Sequence, residues 1–155
     1  MLMSLALSAS RMVALLLVGV YAGGVLFVVL APSVGRIPGP AYVRYWQALN
    51  ADYGQRMPPL LLISVAALLV VAVLSWQRGW LVFGLSAAAL TLVVLTVALT
   101  VAGMEPLNQA ANAWDPDALP AGWDEIRQRW LNLHLVRTGL ALAAFACLIV
   151  ARTAD

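Results

Sequence analysis

Apolar residues run along this chain in four long blocks, separated by shorter stretches that contain polar residues, prolines or both. The blocks cover about residues 12–31, 59–76, 81–103 and 135–151. Each is close to the length that crosses the hydrocarbon core of a bilayer as an α-helix. A helix is also the form in which a single span satisfies its own backbone there. The pattern therefore predicts four transmembrane helices.

The connections between the blocks predict how these helices are arranged. Only residues 77–80 separate the second and third blocks, and the short Gln77-Arg78-Gly79 turn among them predicts an antiparallel hairpin. The two long connections, 32–58 and 104–134, then fall on the same side of the membrane. The expected fold is an all-α integral membrane four-helix bundle. It forms a single domain over residues 1–155, with both long connections at one end.

The first long connection contains an amphipathic segment. One helical face of this segment carries Tyr42, Tyr45, Trp46, Leu49, Asn50 and Tyr53. Tyrosine and tryptophan are enriched where a membrane meets water, so the segment predicts a short interfacial amphipathic helix. The second long connection is polar and contains Pro106, Pro116 and Pro120, and we expect a new helix to begin near Trp123.

Composition agrees with a membrane protein. Apolar residues make up 63% of the chain and charged residues 10%, against about one half and one quarter in soluble domains. The formal charge of +2 is scattered along the chain, which argues against a nucleic-acid partner. Arginines flank both ends of the predicted bundle, so they leave its orientation open. We expect the protein in a bacterial cytoplasmic membrane, with its oligomeric state undetermined.

The fourth block begins with a stripe of polar and aromatic residues. At 100° per residue, one face of this helix carries Trp123, Arg127, Trp130, His134 and Arg137. One interpretation is that these arginines extend to lipid headgroups, and this fits Arg129, which lies off the stripe. It fits Arg137 less well, because a charge at mid-bilayer costs about 2.5–3.5 kcal/mol. We interpret the stripe as one wall of a functional pocket inside the bundle.

Polar residues of the two long connections are expected to complete this pocket. Those nearest to the stripe are Gln47, Asn50, Glu105 and Asn108. Glu105 is the acidic residue closest to the end of a span, so it is the predicted counter-ion of Arg137 or Arg127. A purely structural clamp between Glu105 and an arginine is the alternative. Thr100 is the hydroxyl of the third block that lies nearest to the polar end.

Three segments of the chain resemble the anthrone oxygenase family. They are the WQALN segment at 46–50, the Thr100, Pro106, Leu107 and Asn108 pattern, and the W-x-x-x-R-x-R-W-x-x-x-H-x-x-R-T pattern at 123–138. The resemblance implies a small membrane enzyme that oxidises polycyclic phenols of the polyketide type. It also implies O₂ as co-substrate, with no resident cofactor.

The implied chemistry assigns roles to three residues of the stripe. The central CH₂ of an anthrone is acidified by its carbonyl group, and its carbanion can pass an electron to O₂. His134 is the predicted base, because imidazole titrates near neutral pH. Arg137 and Arg127 are predicted to stabilise the oxyanion and the superoxide that form.

The remaining predicted site residues bind the substrate. Trp130 and Trp46 are expected to stack on a flat aromatic ring. Polar contacts to the substrate are expected from Asn108, Asn50, Gln47, Glu105 and Thr100. The expected ligand is therefore a lipophilic aromatic small molecule that reaches the site from membrane lipid.

Metal and haem sites are poorly supported by the sequence. One histidine and the distant Cys147 do not make the usual nitrogen and sulfur ligand sets. His134 and Glu105 could begin a carboxylate-rich iron site, so a metal stays open. A second hypothesis is a non-catalytic membrane subunit, or a protein that binds a quinone or a lipid headgroup. A transporter is least favoured, because no inverted repeat is present.

Overall fold

The computed structural model describes the backbone of residues 2–155 and the side chains from residue 5 onward. Its five α-helices are α1 (Leu2–Leu30), α2 (Gly39–Ser75), α3 (Trp80–Leu99), α4 (Glu105–Asn112) and α5 (Trp123–Thr153). Short 3₁₀ turns cover Val34–Arg36 and Trp76–Arg78, and a π-helical turn covers Thr100–Met104. Over the described residues the protein contains no β-strand.

Four long helices form the membrane bundle. Helices α1, α2, α3 and α5 each lie in a helical stretch long and apolar enough to cross a bilayer. In the ring α1–α2–α3–α5, each helix packs against its two neighbours. Both long connections lie at one end, where the start of α2 packs against α4. The predicted all-helical membrane four-helix bundle is confirmed, and the protein is an integral membrane protein.

Alanine, valine and leucine side chains fill the centre of the bundle. This part of the core consists of Ala14, Val18, Leu68, Val71, Ala89, Val93, Ala144 and Leu148. In lipid, helices associate through close packing rather than through the hydrophobic effect, and small residues let their backbones approach. At the other end from the long connections, Gly79 adopts a φ of 108°, which permits the tight turn from α2 into α3.

The predicted interfacial helix is helical, but it is not a separate element. It forms the first half of α2, which continues into the second span over 37 residues, or about 55 Å. That length exceeds the hydrocarbon thickness of about 30 Å, so the first half of α2 projects beyond it. Pro58 and Pro59 lack the N–H groups that would bond the carbonyls of Gly54 and Gln55. Gly54 and Gln55 are exposed, so water can bond their carbonyls in place of the missing N–H groups, and the helix tolerates both prolines.

The third span also continues further than the sequence predicts. After α3 the chain makes a widened turn, in which the Glu105 N–H bonds the Thr100 carbonyl five residues earlier. Pro106 follows and has no N–H to contribute to a regular helical ladder. The chain then remains helical as α4, where the sequence suggested an irregular connection. Single π-turns of this kind occur frequently at functional sites.

A buried arginine ties the helices together at the opposite end. Arg11 is 3% exposed, and its guanidinium donates to Asp155 Oδ2 at 2.6 Å and to Ser75 Oγ at 3.3 Å. Ser75 Oγ also accepts from Ser86 Oγ at 3.3 Å. This network joins α1, α2 and α3 to the residues that follow α5.

Replacing Asp155 by asparagine should destabilise the protein. A buried guanidinium that loses its anionic partner lowers the free energy of unfolding by about 3 kcal/mol. Thermal unfolding in detergent micelles, followed by circular dichroism, measures this change. The control is Asp52→Asn, which removes the exposed pair with Arg56 and should cost less than about 0.5 kcal/mol. Equal losses in the two variants would contradict a structural role for the buried pair.

Candidate active site

Two amide side chains of α2 fix the position of α4. Gln47 Nε2 donates to the carbonyls of Ala111 and Trp114, at 2.9 Å each. Asn50 Nδ2 donates to Asn112 Oδ1 at 3.0 Å. Carbonyls at the C-terminal end of a helix lack intrahelical donors, and Gln47 supplies one. Both predicted substrate-binding amides are thus engaged with the protein itself.

Asn108 on α4 holds two indole rings. Its side-chain oxygen accepts from Trp46 Nε1 at 3.1 Å and from Trp130 Nε1 at 2.9 Å. Indole N–H groups only donate, so the amide oxygen must face them. The amide nitrogen then donates to Glu105 Oε2 at 3.2 Å. The structure therefore places Asn108 where it positions Trp46 and Trp130, with its amide oxygen occupied by the two indoles.

The two indoles form a series of ring contacts that ends at His134. The rings of Trp46 and Trp130 lie with centroids 5.5 Å apart at 58°. Trp130 stacks on the His134 imidazole with centroids 5.0 Å apart at 16°. Trp46 is buried and meets Trp114 edge-on at 6.0 Å. The aromatic contacts connect the amide of Asn108 to the imidazole.

His134 points into the bundle and is 2% exposed. Its Nε2 lies 2.8 Å from the Val25 carbonyl oxygen, and its Nδ1 lies 2.7 Å from Arg137 Nη2. A carbonyl oxygen only accepts and a guanidinium only donates. Nε2 therefore carries the proton and donates to Val25, while Nδ1 accepts from Arg137. These two bonds hold the imidazole as a single neutral tautomer.

Arg137 has a second polar neighbour on the widened turn. Its Nη1 donates to Thr100 Oγ1 at 3.5 Å, and Thr100 Oγ1 donates to the Thr96 carbonyl at 2.8 Å. Among the described residues, no carboxylate lies within ion-pair distance of this guanidinium. Neutral acceptors from the widened turn and from α5 therefore contact a charge that is partly buried.

Arg137 contacts the end of α3 that faces the long connections. The 20 residues of α3 rise about 30 Å, which matches the hydrocarbon thickness. Trp80, at the start of α3, is 84% exposed and suits the opposite interface. Thr100 directly follows α3, so Arg137 contacts the loop-side end of this 20-residue helix.

Arg127 is held away from the His134–Arg137 pair. Its guanidinium lies over the rings of Tyr42 and Trp123, at 5.2 and 4.8 Å from their centroids. It also forms an ion pair with Asp124, one turn earlier on α5. The structure thus places Arg127 in a cation–π and ion-pair contact that joins α2 to α5.

Glu105 does not form the expected ion pair. Its carboxylate accepts from Asn108 Nδ2 and from Gln109 Nε2 at 3.3 Å. In the part of the chain that the structure describes, it reaches neither Arg137 nor Arg127, so that expectation is wrong. The widened turn places Glu105 in the first turn of α4, where a negative charge interacts favourably with the helix dipole.

An apolar cavity of about 270 Å³ lies beside the imidazole. It is bounded by the end of α1, the Val34–Arg36 turn, the first half of α2, and α5. Its lining includes Val28, Pro32, Tyr45, Trp46, Leu49, Trp130, His134 and Leu135. Pro32 and Leu135 are exposed, so the cavity opens on the side of the bundle. Arg137 lies outside this lining, behind His134.

Sequence reasoning missed two partners in the site. The Val25 carbonyl orients His134, but a backbone acceptor carries no signal of residue type. Tyr42 was recognised only as part of an amphipathic face, whereas it also stacks with Arg127. A pattern of an aromatic residue in one helix and an arginine in another does not reveal that they touch.

Replacing Asn108 by leucine should destabilise the loop-side end of the bundle. The indole N–H groups of the buried Trp46 and the half-buried Trp130 would lose their acceptor, and this lowers the free energy of unfolding by about 3 kcal/mol. The near-ultraviolet circular dichroism of the tryptophans should also weaken. Gln109→Leu on the same helix is the control and should cost less than about 1 kcal/mol, because Gln109 is exposed and its side chain bonds Glu105 of the same helix. Equal stability of the two variants would contradict the positioning role.

Comparison with known proteins identifies the family of the chain. The family described as Anthrone oxygenase matches residues 46–147, which is more than half of the chain. The matched segment includes the paired tryptophans, Asn108, His134 and Arg137. No curated protein and no solved structure matches the chain. The protein belongs to the anthrone oxygenase family.

Proposed function

We propose that this protein is a membrane oxygenase that uses O₂ to oxidise flat, lipophilic polycyclic phenols, in a reaction of the anthrone-to-anthraquinone type. Family membership supports oxygenase-type chemistry. One observation carries the proposal: His134 lines an aromatic-walled cavity, and the cation Arg137 contacts that imidazole from outside the lining. An apolar cavity with a few polar groups at its wall is the default candidate for a binding or active site.

The cavity suits a compact planar ligand. Its volume lies near the lower end of the range for ligand pockets, about 300 Å³. Trp46 and Trp130 offer ring faces and edges for stacking, and Tyr45 offers a hydroxyl at the wall. The lateral opening lets a lipophilic substrate enter from the membrane. This supports a small polycyclic aromatic compound as the substrate class.

In the proposed reaction His134 Nδ1 is the base. Nε2 keeps its proton on the Val25 carbonyl, so Nδ1 holds the one available lone pair of the ring. Arg137 donates to that lone pair in the resting protein. The base becomes available when the guanidinium turns toward a developing anion. The cation thus covers the base until negative charge is present to attract it.

The proposed chemistry takes place at one carbon of the substrate. A CH₂ group loses a proton to Nδ1, and the resulting carbanion passes one electron to O₂. The two radicals combine into a peroxide anion, which is protonated and loses water to leave a new C=O group. Arg137 is 2.7 Å from the base, so it suits stabilisation of the oxygen anion at that same carbon.

The proposal requires no resident metal or organic cofactor, because the carbanion itself reduces O₂. The donor set supports this interpretation. Both ring nitrogens of His134 already have partners. In the described part of the chain, no group of three histidine, cysteine, aspartate or glutamate side chains comes together.

A second candidate function is binding without chemistry. The amides of Asn108, Gln47 and Asn50 are all engaged with protein groups. The cavity wall is therefore mostly apolar, as expected of a protein that holds a quinone or another lipophile. Uptake of O₂ with an anthrone as substrate distinguishes the two functions.

His134→Gln should abolish turnover and preserve binding. Glutamine can still donate to the Val25 carbonyl, but its amide is not basic. The kcat for O₂ uptake should fall by at least about 100-fold, the usual contribution of a general base. An oxygen electrode with an anthrone substrate measures kcat, and quenching of tryptophan fluorescence measures binding.

Arg129→Gln provides the matched control, because Arg129 is exposed and lies off the site. It should keep wild-type turnover. Wild-type kcat in the His134 variant would remove the base assignment. Loss of wild-type activity after treatment with a chelator would restore a metal role. Binding of the anthrone without any O₂ uptake would favour the second candidate function.

Arg137→Gln should lower turnover, whereas Arg127→Gln should lower stability. Loss of one group that stabilises an oxyanion lowers kcat by about 100-fold or more, and this is expected for Arg137. The Arg127 variant loses an ion pair and two cation–π contacts, so its free energy of unfolding should fall by about 1–2 kcal/mol. Its kcat should stay within a few-fold of wild type. Steady-state kinetics and thermal unfolding of both variants measure these effects. A large loss of kcat without loss of stability in Arg127→Gln would show that Arg127 is catalytic after all.

A further inference from the structure

Asn132 is a polar residue that lines the cavity and has no role in the proposed reaction. Its side chain is exposed, whereas the imidazole of His134 in the same cavity is buried. Asn132 Oδ1 accepts from Gln128 Nε2 at 3.1 Å, one turn earlier on α5. That bond orients the amide and leaves its Nδ2, which only donates, without a partner among the described residues. The cavity wall thus carries a donor that is available to a ligand.

The cavity extends around α5 from a buried end to an exposed end. At 100° per residue, Leu131 lies about 60° around the helix from His134. Leu135 and Asn132 follow at about 100° and 160° in the same direction. All four residues line the cavity, and their exposure increases in that order, from buried through half-buried to exposed. The imidazole therefore marks the buried end, two leucines form the middle, and the Asn132 amide stands at the exposed end.

The first half of α2 shows the same order on another wall of the cavity. Trp46 and Tyr45 both line the cavity, and they are 2% and 38% exposed. The indole is therefore at the buried end, and the tyrosine hydroxyl belongs to the exposed end. Two polar groups from two different helices, the Asn132 amide and the Tyr45 hydroxyl, thus border the opening of a cavity whose middle is apolar.

We propose that Asn132 Nδ2, together with the Tyr45 hydroxyl, binds a phenolic or carbonyl oxygen of the substrate on the part of the molecule that is remote from the reacting carbon. This inference rests on the proposed function, in which the reacting carbon lies at His134. A helix with its side chains is about 10–12 Å across, and this approximates the distance between the two ends of the cavity. A compound of three fused rings has a comparable length. Asn132 is thus a specificity-determining residue that selects substrates with an oxygen on the ring nearest the opening.

Anthracene and 2-hydroxyanthracene test this contact, because they differ by one oxygen and neither carries an acidified CH₂ group. Quenching of tryptophan fluorescence in the full chain, in detergent micelles, gives a dissociation constant for each ligand. The ratio between a variant and wild type cancels the partition of one ligand into the micelles. Asn132→Leu should weaken binding of 2-hydroxyanthracene by about 5-fold, the effect of losing one hydrogen bond. Binding of anthracene should change by less than about 2-fold, since it makes no such bond.

Three further variants test the position of the ligand. Tyr45→Phe keeps the ring and removes the hydroxyl, so it should weaken 2-hydroxyanthracene by about 3-fold and leave anthracene unchanged. Tyr53→Phe, an exposed position on the same helix and outside the cavity lining, is the matched control and should change neither. Gly35 lines the cavity, and a Cβ there would lie 3.6 Å from Leu131 Cδ1. Gly35→Val therefore narrows the cavity and should weaken both ligands by at least about 5-fold.

The outcomes separate this inference from the proposed function. Equal effects of Asn132→Leu on the two ligands would overturn the role of Asn132 and show that it belongs only to the solvated face of α5. Unchanged affinities in Gly35→Val would overturn the cavity as the place where the ring binds. These ligands need no turnover, so O₂ uptake with an anthrone is a separate readout. A loss confined to 2-hydroxyanthracene without any O₂ uptake would support the role of Asn132 while removing the oxygenase proposal.

Discussion

The side-chain carbonyl of Asn108 accepts hydrogen bonds from two indoles that belong to two different long helices. Trp46 comes from α2 and Trp130 from α5, so this one oxygen fixes α2, α4 and α5 relative to one another. An indole N–H without an acceptor at this position would cost about 1–3 kcal/mol. The stack of Trp130 on His134 depends on that constraint, because the same ring that Asn108 holds covers one face of the imidazole. A helix outside the four-helix ring therefore fixes the ring that covers the base, while Val25 and Arg137 fix its two nitrogens.

The sequence predicted the bundle and the face that carries the site, but not the contacts within it. Lipid requires long apolar helices, and that requirement is visible as hydrophobic blocks. The stripe that includes Trp130, His134 and Arg137 follows from helical geometry alone, and the structure brings those three residues together. The continuity of α2 could not be predicted, since Pro58 and Pro59 usually mark a helix boundary. The role of Asn108 was missed because an amide can bind a ligand equally well or position a neighbour.

Three arginines in this small protein have three electrostatic environments. Arg11 is buried and paired with Asp155, which makes it a structural clamp at one end. Arg127 is placed between two aromatic rings and beside Asp124, so its charge is also compensated. Arg137 has only neutral acceptors among the described residues, His134 and Thr100. A guanidinium whose charge the surrounding protein leaves uncompensated is the one best suited to stabilise negative charge that develops during a reaction.

The contact between Arg137 and His134 also bears on the order of events in the proposed reaction. In the resting protein the guanidinium occupies the only lone pair of the imidazole, and so the base and the cation satisfy each other. An apolar ligand that develops no negative charge offers the guanidinium no better acceptor than Nδ1, so the guanidinium stays on the imidazole. A substrate whose carbon is acidified offers a better acceptor as its proton begins to move, and the same motion frees Nδ1 and brings the cation to the new anion. The hydrogen bond between Arg137 and His134 would then make the reaction selective for substrates with an acidified carbon. The cavity wall, which is mostly apolar, distinguishes ligands mainly by their shape and apolar surface.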